Sequence, residues 1–74
     1  MSDIMKIGLE GMSRGAALVE KSARGIVEGS QSGDFELVVK SSIELQSGKR
    51  QFEASAKIIK VGDQLQSAVI DLLA

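Results

Sequence analysis

The chain has 74 residues, with nine basic and ten acidic side chains, a net charge of −1, and no cysteine, histidine, proline, tryptophan or tyrosine. Disulfides and the usual zinc ligand sets are thereby excluded. The interspersed charges leave no electrostatic footprint for nucleic acid or an anionic membrane, and base-stacking platforms are missing.

A hydrophobic content of 43% argues against wholesale disorder. A domain this small is nevertheless marginal alone, so association with other chains is the expected source of extra stability. The apolar runs are far too short to span a membrane, and the opening MSDIMKIG lacks the apolar core of a cleaved secretory signal. Neither a nucleic-acid partner nor membrane insertion is expected.

The first predicted element is an amphipathic helix over residues 3–28. Met5, Leu9, Met12, Ala16, Val19, Ala23 and Ile26 recur at 4-3 spacing, a heptad seam. Glu10 with Arg14 and Glu20 with Arg24 supply i,i+4 pairs in the favourable order. Gly8, Gly11, Gly15 and Gly25 work against the helix, each at about 1 kcal/mol relative to alanine. Gly8, Gly15, Ser22 and Gly29 lie seven apart, so they make a smooth strip beside the seam, along which another backbone can approach closely. The alternative is a helix frayed by its glycines.

Residues 29–34 have turn composition, with Gly, Ser, Gln, Ser and Gly before Asp34. Asp34 is placed to cap the next helix, and Glu36 sits in its first turn, where the helix dipole favours an acid. So short a connection makes the two helices antiparallel neighbours.

The second helix is predicted over residues 35–73. Val38, Leu45, Phe52 and Ile59 repeat every seventh residue, with small or polar residues between them, such as Gly48 and Gly62. These four, with Met5, Leu9, Met12, Ala16, Val19 and Ile26 of the first helix, are the expected intrachain packing residues; Phe35 is a further core candidate. A second apolar stripe begins at Ala54 and continues through Ile58, Val61, Leu65, Ala68 and Leu72. At about 1.5 Å per residue the helices are roughly 39 and 58 Å long, so the first runs out opposite Val61. Val61, Leu65, Ala68, Val69, Ile70, Leu72 and Leu73 then have no partner in their own chain and form the expected self-association surface. The predicted fold is an all-α, antiparallel two-helix hairpin with a longer C-terminal helix, assembling into a helical bundle or coiled coil.

Catalytic chemistry is poorly supplied. With histidine and cysteine go the commonest general base and the strongest nucleophile. Ser42 and Glu44, or Ser55 and Lys57, are close in sequence but point in different directions on a helix. GSQSGD lacks the GK[ST] ending of a phosphate loop, and the acids lack the spacing of a calcium loop. The expectation is a non-enzyme without cofactor or metal.

KRQFEASAKIIKVGDQLQSAVIDLL, residues 49–73, is similar to the C-terminal segment of the flagellar axial proteins, the rod, hook and hook-associated family, whose chains end in a helix of the form QRAFEANAKVIKTADEMLGTLLDL. Arg50, Phe52, Glu53, Ala54, Ala56, Lys57, Ile59, Lys60, Asp63, Leu65 and Leu72 match, while Ser55 replaces the usual asparagine and Gly62 the usual alanine. IGLEGMSRGAALVEKSARGI, from Ile7 to Ile26, resembles the family's opening helix at Leu9, Gly11, Met12, Ala16, Leu18, Ser22 and Ile26. The family's asparagine-rich ANNIANxNTxGY turn is replaced by ARGIVEGSQSGD, and a short turn stands where the family has a β-rich central domain.

In that family the terminal helices form the inner coiled-coil core of the filament and leave the cell by the flagellar type III path without a cleaved signal. The resemblance therefore implies a minimal axial-type subunit in the flagellum or basal body, with itself and axial or export proteins as partners. A stand-alone cytoplasmic oligomer fits the residues equally well. The competing reading is a small soluble helical adaptor that binds a helix of a flagellar or export and assembly partner.

Overall fold

The computed structural model describes residues 2–73, which form two helices, α1 (Ser2–Ser32) and α2 (Phe35–Leu73), with no strand among them. They fold back into an antiparallel hairpin whose second helix is the longer.

The turn is tighter than its composition suggests. Gly29, Ser30, Gln31 and Ser32 remain helical, and only Gly33 and Asp34 lie between the helices. The expected boundaries of 28 for the first helix and 29–34 for the turn are corrected accordingly. One residue in the left-handed region is enough to stop α1: Gly33 has φ +77°, a conformation that glycine alone adopts without a Cβ penalty. The Asp34 N–H then donates back to the Gly29 carbonyl at 2.9 Å, which closes a Schellman-type cap. The same Asp34 starts α2. Its Oδ1 accepts from the Leu37 N–H at 3.1 Å, and its carbonyl accepts from the Val38 N–H at 3.2 Å. Asp34 thus ends one helix and caps the next.

The helices meet through their smallest side chains. Gly8, Gly15, Ser22 and Gly29 of α1 are buried, as are Ser41, Gly48, Ser55 and Gly62 of α2. Each row is spaced by seven, so it stays on one side of its helix. Gly15 and Gly48 lie directly opposite. A methyl on Gly15 would sit 2.7 Å from the Phe52 amide nitrogen and 2.9 Å from the Gly48 carbonyl oxygen; one on Gly48 would sit 3.0 Å from the Gly15 carbonyl oxygen. Backbone therefore packs on backbone, and a Cβ at either position meets atoms that cannot rotate away. Ser22, only 1% exposed, satisfies its hydroxyl within its own helix by donating to the Leu18 carbonyl at 2.6 Å.

This contact leaves no conventional core: no apolar side chain is buried among the described residues. The residues expected to pack within the chain do so from the flank of the strip: Met5, Val19, Val38 and Ile59 reach the glycines of the facing helix. Leu9 is 58% exposed, and Ala16 and Phe52 are also exposed. Met5, Met12, Val19, Ile26, Val38, Leu45 and Ile59 are only half-buried. Phe35 is 77% exposed. The physical reason is distance. Once two backbones touch, side chains of the facing rows cannot fit between them, and larger residues splay to the sides.

The result is a rod of 62 × 13 × 12 Å with a radius of gyration of 17.3 Å, against about 11 Å for a compact chain of this length.

Candidate self-association surfaces

Two surfaces follow from this geometry. The first is the end of α2. Stepping by sevens from the Gly15–Gly48 pair brings Gly8 level with Ser55 and the start of α1 level with Gly62. A methyl on Gly62 would still meet Ile4, at 2.9 Å. Gly62 is the last buried residue of α2, and every described residue after it is exposed. Val61, Leu65, Val69, Ile70, Leu72 and Leu73 stand open, Leu72 at 87%, and Ala68 is exposed with them. All the residues expected to form the self-association surface therefore lie beyond or at the end of the hairpin contact.

The second surface runs along the hairpin itself. Met5, Met12, Val19 and Ile26 lie to one side of the α1 strip, and Val38, Leu45, Phe52 and Ile59 to one side of the α2 strip. In an antiparallel pair these are the same side. The contacts agree: Val19 Cγ2 lies 3.0 Å from where a methyl on Gly48 would sit, and Ile59 and Val38 close on Gly8 and Gly29 in the same way. Ala16, Val19 and Phe52 line one hollow on this side, bordered by Lys49 and Glu53. The two seams therefore share one side of the hairpin, where they pack partly on the facing helix and stay half-exposed as one apolar face.

The opposite side differs in chemistry. Glu20, Lys21, Arg24, Glu28, Lys40 and Glu44 surround a shallow groove there, with Ser41 and Gly25 at its floor. Glu20 and Arg24 pair at 2.6 Å, and Glu10 and Arg14 stand 3.9 Å apart, all on exposed side chains. Such pairs contribute only about 0.3–0.5 kcal/mol each. No group of acids among the described residues is arranged to hold a metal ion. No helix among them is long and apolar enough to cross a membrane.

A third patch was not anticipated. Phe35, Val39 and Ile43 make a short exposed stripe on the outer side of α2 near the turn. Its i, i+4, i+8 spacing is the signal in the sequence, beside the seam that starts at Val38.

No family model, curated protein or solved structure matches this chain.

Proposed function

We propose that this chain is a structural, non-catalytic helical subunit that self-associates, with the end of α2 covered by another copy. One observation carries this reading: residues 63–73 are helical and all exposed, from about half for Leu65 and Val69 to most of Leu72 and Leu73, with Ile70 between. Side chains of this type gain about 1.5–3 kcal/mol each on full burial, and none of the described residues covers them.

The similarity of residues 49–73 to the terminal helix of flagellar axial proteins supports a role of the same kind, as a minimal rod- or hook-type subunit. It rests on the matched residues alone. Detection of the chain in purified basal bodies tests that placement, and its absence there with full expression counts against it.

The self-association is tested by sedimentation of a Leu65→Asp, Leu72→Asp double variant. Burying two carboxylates in place of two leucines weakens the contact by on the order of 3 kcal/mol, about a hundredfold in dissociation constant. A sedimentation profile identical to that of the unaltered chain argues against the overhang as an interface. A monomer in both cases, with the end of α2 frayed, favours the adaptor reading instead.

A further inference from the structure

The overhang is one end of the rod, but the missing core runs along the whole of it. The hairpin exposes 5557 Å², whereas a compact folded chain of 7.8 kDa exposes about 4,400 Å². The excess, about 1,200 Å² per chain, is more than the roughly 800 Å² that each partner contributes to a standard interface.

We propose that the apolar face formed by Met12, Val19 and Ile26 of α1 with Leu45, Phe52 and Ile59 of α2 is the contact between two copies of this chain, stacked face to face. The inference deepens the self-association reading and rests on it, but places a separate contact on the body of the hairpin.

Three observations favour a second copy as the occupant. The surplus over the whole rod, overhang included, exceeds what one partner contributes to a standard interface. The six named residues are all apolar and come from both helices, so the face can stack on its own twofold image, with Lys49 and Glu53 in the hollow the charges it brings to the contact. Its border is mixed in sign, with Lys49 and Glu53 beside Phe52, so it selects no partner of a single strong charge. The reverse side, crowded with Lys21, Arg24, Glu28, Lys40 and Glu44, would have to desolvate those ions to be covered in the same way. Two stacked hairpins make a four-helix arrangement in which half-buried side chains become a core. The small-residue strips stay within each hairpin, and the two overhangs remain free for a further contact.

The chain contains no cysteine, so a single introduced thiol reports on one position. Ala16 lines the apolar hollow and Ala17 the charged groove, and both are exposed in the single hairpin. Ala16→Cys and Ala17→Cys are each made in the unaltered chain and in the Leu65→Asp, Leu72→Asp background. Helix content is checked by circular dichroism, and the rate of thiol labelling is followed across protein concentration. The expected result is that Cys at 16 is slowed by roughly tenfold or more as concentration rises, in both backgrounds, while Cys at 17 labels at one rate throughout. Equal labelling of the two positions at every concentration would overturn the proposal, whether or not the chain associates through its overhang. So would protection at 16 that vanishes in the charged-overhang background, because the face would then have no contact of its own. A change in mass caused by the overhang substitutions, with protection at 16 retained, supports both surfaces.

Discussion

Within α2, residues 35–62 and residues 63–73 belong to one unbroken helix, but the first stretch buries its smallest residues and the second buries none. In the first stretch every seventh residue is small and covered: Ser41, Gly48, Ser55 and Gly62. The next residue of that row is Val69, and it is 51% exposed. The row changes from small to large where α1 runs out. Burial in the hairpin therefore follows where a second backbone can come close, and hydrophobicity is left to the flanks. In the overhang no backbone comes close, and the apolar residues there stay exposed.

The comparison breaks most severely if the small row is enlarged. Gly15→Leu forces a side chain against the Phe52 amide and the Gly48 carbonyl, and is expected to cost on the order of 3 kcal/mol or to unfold the hairpin outright. Thermal or urea melts followed by circular dichroism measure this. Stabilisation, which the better helix propensity of leucine would give on a solvent-facing row, would show that the strip is not the contact. The effect of Leu65→Asp with Leu72→Asp is of similar size but appears in association, leaving the intrachain contact in place.

A smaller effect sharpens the picture of the turn. Gly33→Ala puts a Cβ on a residue at φ +77°, which costs roughly 1–2 kcal/mol. An unchanged melting curve would mean that the turn has another conformation available. The smallest effect belongs to the charged side. Arg24→Ala removes the pair with Glu20 and should cost no more than about 0.5 kcal/mol. A larger loss, seen in the same melts, would show that the groove is covered rather than open.

Much of this arrangement was legible before any coordinates. Freedom from proline, the 4-3 apolar spacing and the Gly/Ser-rich break specify two antiparallel helices, and the difference in their lengths leaves residues beyond Val61 unpaired. Asp34 reads as a cap because of its place before an apolar run, and the Glu20–Arg24 pair follows from its spacing. The apolar seams do pack across the interface, but from the flank of the contact and not from its centre. Periodicity shows which residues share a side of a helix, but not whether the neighbouring backbone lies over the apolar row or over the glycine row beside it. Those rows are only about 40–60° apart at 100° per residue. The deciding signal was that both helices carry a small residue every seventh position, in rows that match when one helix is reversed. A single small row is only a weak helix; two matching rows are a contact. The turn was overestimated for a related reason, since Gly29 served the strip and only Gly33 was needed to stop the helix.

On the self-association proposed above, a hairpin without an apolar core is completed by other copies of itself. Sedimentation equilibrium of the unaltered chain, with helix content recorded at each dilution, tests it most directly. The expected result is a mass that is a multiple of 7.8 kDa and a helical signal that falls as dilution separates the copies. A fully helical species of 7.8 kDa, unchanged across dilution, would contradict it.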